Sequence, residues 1–402
     1  MAVIPVTKTL RFISVLCVLL CAFSVFCCPA EAADDTAAIN QLLDRMEQGY
    51  AAHDAQKLAE CMHGHFVAVL KSGQPSGDAQ VFDKKALLGL ISGAFAKNAT
   101  AKSHVFTQRK ISVPNGWPIG TASAIVKDQW PDGRTQESSE LRLFVREGES
   151  WKVILAQPVF FEGKAMAVKI MPGSQAGKLG LREGDIITYY GGEKIEEGGQ
   201  LIQAVQKHVG DPPEKAIPLG IKRGAESLLI EARPGQLGCS METRFFPLGG
   251  AEMIGAQTPH PVKEVAAKIN AACRQSNVDQ IIPEVCPAGA INVALTPQGL
   301  LLAGPPNPRE GFQSIIQKTA ATINWQTLEC DQIRAIVQGP VAIVACRCRV
   351  KPVSGDQAFA MTVLYLYAKH SGRWYFISPL PGNVGADIGI DPPSPAPAGG
   401  PK

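Results

Sequence analysis

Between Thr36 and His53 the apolar residues Ile39, Leu42, Leu43, Met46 and Tyr50 recur with the period of an α-helix, which predicts a helix burying one stripe. Asp54 stands where an N-cap belongs and predicts a second helix over Ala55–Met62. A strand at Phe66–Leu70 follows, and Asp83 caps a third helix ending near Lys97. From there the period shortens to alternation. It predicts four long strands joined by Pro114-Asn115-Gly116, Pro131-Asp132-Gly133 and Glu147-Gly148-Glu149, the last strand being Trp151–Leu155. Helices followed by an antiparallel meander make an α+β unit.

The same order returns between Pro261 and Pro381. Helices are expected at Val262–Arg274, Asp279–Val285 and Arg309–Thr322, then strands at Gln326–Val337, Val341–Val350, Ala358–Ala368 and Trp374–Ser378. Trp374-Tyr375-Phe376-Ile377 echoes Trp151-Lys152-Val153-Ile154, and Gly339–Val344 echoes Gly120–Val126. The pattern predicts two copies of one unit, and two copies in one chain can cover each other's exposed sheet faces.

Between the copies the pattern changes. An alternating strand through Ala165, Ala167 and Lys169 runs into Pro172-Gly173-Ser174 and a short Ala/Gly-rich helix. Gly180-Leu181 and Glu183-Gly184-Asp185 make turns before the strand Ile186–Tyr190, and Gly191-Gly192 makes another. A helix at Gln200–His208 and strands at Ala216–Lys222 and Ser227–Ala232 complete this segment. Residues 239–260, with their Gly and Pro, are expected to be a linker.

Composition adds a compartment. Lys8 and Arg11 precede the apolar run Phe12–Cys28, and Ala30-Glu31-Ala32 has the small residues of a cleavage site. Residues 1–32 are therefore expected to be a secretory signal, and the protein to be periplasmic or secreted, with no membrane span after cleavage. The balance of charge, +3 with no dense Lys/Arg stripe, argues against a nucleic-acid partner. The tail from residue 386 ends in Pro/Gly/Ala-rich sequence and is expected to be disordered. Beyond the signal, five of the cysteines lie after Cys239, and the disulfide candidates are Cys330, Cys346, Cys348, Cys273 and Cys286. Cys346 and Cys348 share one side of a strand, and a hairpin about Gln338-Gly339 places Cys330 opposite them.

The run Pro172-Gly173-Ser174-Gln175-Ala176-Gly177 through Gly184-Asp185-Ile186-Ile187 resembles the PDZ domains of bacterial envelope proteases, over Gly163–Gly238. That resemblance implies a peptide added as a strand beside the long helix, with Ile202 and Val205 presented to it. It also implies a loop that captures a terminal carboxylate, and only Phe160, Phe161, Glu162 and Gly163 stand where that loop belongs. The proteases' catalytic serine turn, G-x-S-x-G, is absent.

The flanking units, 33–159 and 261–385, are similar to the nuclear transport factor 2-like superfamily, whose members include ketosteroid isomerase. The resemblance implies two cone-shaped α+β barrels, helices on a curved antiparallel sheet, flanking the central domain. The isomerase needs a carboxylate base and a tyrosine donor. Counted from Asp54 those positions fall on Leu70 and Met46, and from Asn277 on Val293 and Ile269, all apolar and without a proton to exchange. His63, His65 and His104 are read as surface or loop-end histidines, the alternatives being a general base or, for His63 and His65, the start of a metal site. Asp54 and Asp83 are read as caps, with bases the alternative. No catalytic residue, metal or cofactor is assigned. The expected function is an exported binding or scaffold protein: the central domain takes a peptide or partner protein, and the cones mediate association or hold a small apolar ligand. The alternative is an enzyme of isomerase, dehydratase or hydrolase type with its site in the first cone.

Overall fold

The computed structural model describes residues 29–70, 77–113, 117–196, 198–296, 299–380 and 387–388. The apolar run of the expected signal, the Pro114-Asn115-Gly116 turn and the Pro-rich tail lie outside the described residues. No helix among those described is long and apolar enough to cross a membrane. The architecture is α+β.

The first unit runs α1 (Pro29–Ala51), α2 (Ala55–Cys61), β1 (Met62–Leu70), β2 (Gln80–Asp83), α3 (Lys84–Ala96), β3 (Ser103–Ser112), β4 (Ile119–Gln129), β5 (Thr135–Glu147) and β6 (Ser150–Pro158). The sheet order is β2-β1-β6-β5-β4-β3, with β1 parallel to β6 and the other neighbours antiparallel. The sheet stays open between β2 and β3, helices on a sheet that does not close on itself. Asp54 and Asp83 cap α2 and α3 by accepting the backbone N–H of Lys57 and Ala86. One face of the sheet packs with the helices around Leu42, Met46, Phe66, Phe106 and Phe144.

The third unit has a similar element order, but its first hairpin forms a separate two-stranded sheet beside the long-stranded meander. It contains α6 (Pro261–Arg274), α7 (Val278–Ile281), a short 3-10 turn (Ile282–Glu284), the hairpin β14 (Asn292–Thr296) and β15 (Gly299–Ala303), and α8 (Pro308–Thr319). Four strands follow: β16 (Ile323–Gln338), β17 (Val341–Pro352), β18 (Phe359–His370) and β19 (Arg373–Leu380). Asn277 caps α7 as Asp54 caps α2, and Asn307 caps α8 as Asp83 caps α3. The parallel bridge Met62↔Val153 of the first unit has its counterpart in Val285↔Phe376.

The two copies share a core. Val67, Val69, Val81, Leu143, Val145 and Ile154, on the sheet face turned away from α1, belong to one buried cluster with Ile291, Ala303, Phe312 and Phe376 of the other copy. Backbone bonds complete the joint, Ala79 N–H donating to Lys369 O at 2.8 Å and Gly372 N–H to the Asp78 carboxylate at 3.2 Å. The strands expose an apolar face on both sides, so each copy needs a cover, and each supplies the other's.

The middle segment contains β7 (Phe161–Ile170), α4 (Gln175–Lys178), β8 (Ile186–Tyr190), β9 (Glu193–Lys194), α5 (Gly198–Lys207), β10 (Ile217–Arg223), β11 (Glu226–Ala232) and β12 (Cys239–Pro247). Its sheet order is β11-β10-β8-β7-β12, extended by β20 (Asp387–Ile388). Here the structure departs from the linker expected over 239–260. Cys239–Pro247 pairs antiparallel with the whole of β7, and β13 (Glu252–Ile254) pairs with β16 of the last copy. The alternation Met241, Thr243, Phe245 carries this strand signal beneath the neighbouring glycines and proline.

Candidate functional site

The helix α5 lies against β12 on the middle segment. Leu201 and Ala204 point into the core of the middle segment, leaving Ile202 52% exposed and Val205 half-buried along the helix. The start of α5 is fastened to β12 by Gly198 N–H, which donates to Thr243 Oγ1 at 3.1 Å. Gly198 also comes close enough to Met241 that an added Cβ would sit 3.7 Å from the Met241 Cβ. That is an ordinary van der Waals distance, so helix and strand meet there at normal contact.

On its inner edge β12 is fully paired with β7. On its outer edge, Arg244 and Phe245 pair in parallel with Asp387 and Ile388. The outer edge of β12 thus already carries a parallel strand at Arg244 and Phe245.

Four residues expected to line the peptide site lie elsewhere. Phe160 is 1% exposed in the core shared by the two copies, stacked edge-on against Phe161 at 5.4 Å. Phe161, Glu162 and Gly163 are strand residues of β7 opposite Pro247, Phe246 and Phe245, and Glu162 pairs with Lys164 at 2.6 Å. No carboxylate loop forms from them, because β12 takes their backbone groups. Sequence reasoning placed the loop by chain order, whereas the sheet is completed by a strand that arrives later in the chain.

The histidines are also redistributed. His65 sits at the joint between copies, its Nδ1 within 2.7 Å of Pro305 O and its Cβ against Gly304. His63 Nδ1 accepts the His65 backbone N–H at 3.0 Å. His104, read as a loop-end residue, is directly opposite Asp128 on the neighbouring strand, with Nδ1 2.7 Å from the carboxylate. Both lie equidistant in sequence from Gly116, so a hairpin count from the expected turn finds the pair that proximity in sequence hides.

A His–Asp pair of this kind orients an imidazole for base catalysis when Nε2 faces substrate. Here Nε2 is buried without a partner, and the ring is enclosed by Tyr50 at 4.1 Å and Phe106 at 5.0 Å between centroids. Burial pushes the Tyr50 phenol up to about 12, with Arg142 opposing and Glu140 and Asp128 reinforcing the shift. Arg142 spans the interior from Glu140 (2.7 Å) to the Met46 sulfur (3.5 Å) with its guanidinium over Phe106 at 4.4 Å. Besides His104 Nε2, Arg142 Nε and both polar atoms of the Gln157 side chain are buried without a hydrogen-bond partner in this unit. Met46 and Ile269, where an isomerase would keep its tyrosine, are buried among apolar side chains.

The described cysteines are all free thiols. Cys330 is the strand partner of Cys348, and Cys346 stands opposite Ile333. Cys273 and Cys286, the other disulfide candidates, have different neighbours. Cys273 lies within electrostatic reach of Cys330, and the Cys286 sulfur accepts the backbone N–H groups of Ala288 and Gly289. Among the described residues no group of three or more His, Cys, Asp or Glu is arranged to hold a metal ion.

No family model matches the chain, and no curated protein matches it. Solved structures do resemble part of it. A nuclear transport factor 2-like protein of unknown function from Pseudomonas putida is 15% identical over 32% of this chain and 87% of its own, with a TM-score of 0.28. A nuclear transport factor 2-like protein from Cytophaga hutchinsonii is 13% identical over 30% of this chain and 94% of its own, at a TM-score of 0.25. A candidate dehydratase of the same family from Streptomyces avermitilis is 14% identical over 32% of this chain and 98% of its own, also at 0.25.

Proposed function

We propose that this is an exported, non-catalytic binding protein whose middle segment, a PDZ-type module, receives an extended peptide or a strand of a partner protein on the outer edge of β12. The observation that carries this reading is the strand Asp387–Ile388 lying on that edge, since an edge that pairs with one segment has the hydrogen-bonding groups to pair with another. Ile202 and Val205 on α5 supply an apolar flank for side chains of the incoming strand. The run from Pro172 to Ile187, which resembles bacterial PDZ domains, supports the same assignment.

In this reading the two flanking units fix the module in place. Their joint core and the burial of Phe160 at its margin support that role. The packing of the His104 ring against Tyr50 and of the Arg142 guanidinium over Phe106 supports association over catalysis or ligand storage in the first unit.

The test is to pan the full-length protein against a peptide library containing both free C-termini and internal sequences, then to measure selected peptides against Ile202→Asp. Peptides that bind the wild type and lose tenfold or more with Ile202→Asp support the proposal. An unenriched library, or binding indifferent to Ile202→Asp, overturns it.

A further inference from the structure

A groove of about 920 Å³ opens between α6 and β16 of the last unit, far in sequence from the peptide strip, with Asn270, Arg274, Leu328 and Cys330 among the residues that line it. Its wall carries thiols. Cys330 reaches the groove half-buried, while its cross-strand partner Cys348 is 2% exposed immediately behind it. Cys346 and Cys273 are close by but differently placed. Cys346 faces Ile333 in the strand register and accepts a hydrogen bond from Asn270 Nδ2 at 3.5 Å, and Cys273 comes from the helix side.

Directly opposed residues of antiparallel strands have Cα atoms about 4.5–5.5 Å apart, inside the range of roughly 4.4–6.8 Å that a disulfide spans. The register thus selects Cys348 over Cys346 as the partner of Cys330. A β-bulge between Cys330 and Gln332 sets this register, because it brings Cys330 opposite Cys348 where the hairpin count from the Gln338↔Val341 pair would place Arg349.

We propose that Cys330 and Cys348 are a reversible dithiol–disulfide couple that exchanges with low-molecular-weight disulfides entering this groove. The Cys330 thiolate attacks one sulfur of the small disulfide, forming a mixed S–S bond and expelling one small thiolate, which takes up a proton. The Cys348 thiol then loses its proton and attacks the Cys330 sulfur. The internal S–S bond forms and the second small thiol leaves. The protein pair gives up two electrons and two protons, and the small disulfide gains both.

The roles follow from access and charge. A hydrogen bond from Cys348 holds the Cys330 thiol below its ordinary range, and the same bond together with burial raises Cys348, so the entry sulfur is also the more readily ionised one. Burial pushes Cys346 and Cys273 up to about 12 and keeps them protonated. They are spectators in the exchange.

The experiment treats reduced full-length protein with oxidised glutathione, quenches with an alkylating agent, and reads intact mass and disulfide-linked peptides. Wild type is expected to acquire the Cys330–Cys348 link with release of reduced glutathione, and to lose it again in excess reduced glutathione. Cys348→Ser should stop at a glutathione adduct on Cys330. Cys330→Ser should form neither product, and Cys346→Ser and Cys273→Ser should behave as wild type. Cys348→Ala, checked for a native circular-dichroism spectrum, repeats the arrest should the serine variant fold poorly. Three results would overturn the couple: no Cys330–Cys348 link in wild type, a link that excess reduced glutathione leaves intact, or an adduct placed first on Cys273 or Cys346.

Discussion

Arg244 of β12 and Asp387 near the C-terminus are backbone partners in a parallel pair. The relationship joins the middle segment's outer strand to residues that follow the last unit in the chain. It also shows the direction in which a strand can run on this edge. A peptide that binds over Cys239–Thr243 and extends past Thr243 must meet Asp387–Ile388. Removing residues 386–402 is therefore expected to tighten binding of long peptides several-fold and leave short ones unchanged, as measured by fluorescence polarisation. Equal affinities for both lengths would show that the two segments use different surfaces.

Phe160 separates the structural account from the one drawn by chain order. Its ring is buried in the shared core, so Phe160→Ala should cost about 3–4 kcal/mol of stability, within the usual range for truncating a buried Phe. Peptide affinity of the folded fraction should not change. Chemical denaturation measures the first quantity and titration below the transition measures the second.

Asp185 is 1% exposed and accepts from Arg223 Nε and Nη2 at 2.8 Å and from the Arg182 backbone N–H at 2.8 Å. The Gly184-Asp185 turn thereby ties β8 to β10. Asp185→Ala removes the acceptor for three donors and is expected to destabilise the middle segment by about 2–3 kcal/mol. Limited proteolysis should then cut this segment before the flanking units. Uniform cleavage would contradict the tie.

The repeated caps give a matched pair. Asp54→Ala and Asn277→Ala each remove a side-chain acceptor at the start of a short helix, and each should cost about 1 kcal/mol in thermal or denaturant unfolding. Costs that differ greatly would mean the two positions are not equivalent.

His63 sets an acid limit. Burial lowers its pKa below the usual 6.5, and the neighbouring His65 lowers it further. The unfolded chain therefore binds a proton at higher pH than the folded one. This contribution to stability is fully present above about pH 6.5 and is lost as pH falls through the folded-state pKa. Protonation at Nδ1 would also remove the acceptor of the His65 N–H. His63→Gln should flatten the stability profile between neutral pH and about pH 5. An unchanged slope would place the acid sensitivity elsewhere, with His260, lowered in the same direction by burial, the next residue to replace.

Periodicity made much of this fold legible. The stripe of Ile39, Leu42, Leu43 and Met46 lies buried as its spacing requires, and alignment from Asp54 to Asn277 carries Met62↔Val153 onto Val285↔Phe376. Partners brought together across long separations were less legible. Nothing local announces that Cys239–Pro247 will complete the sheet beside β7, because strand adjacency is decided by which apolar face needs covering and not by order in the chain. His104 and Asp128 were hidden for the same reason, and Phe160 looked like a loop residue until a second copy closed over it. Ile202 is exposed on α5 while Val205 packs partly on the core beside Leu201 and Ala204, and the strand next to them could not be read from the sequence.

Hydrogen–deuterium exchange on the full-length protein with a selected peptide tests the central claim most directly, because backbone pairing is what the β12 edge is proposed to provide. The predicted result is new amide protection along Cys239–Thr243, with little change in the α6–β16 groove. Protection confined to that groove or to the first unit, with β12 unchanged, would contradict it.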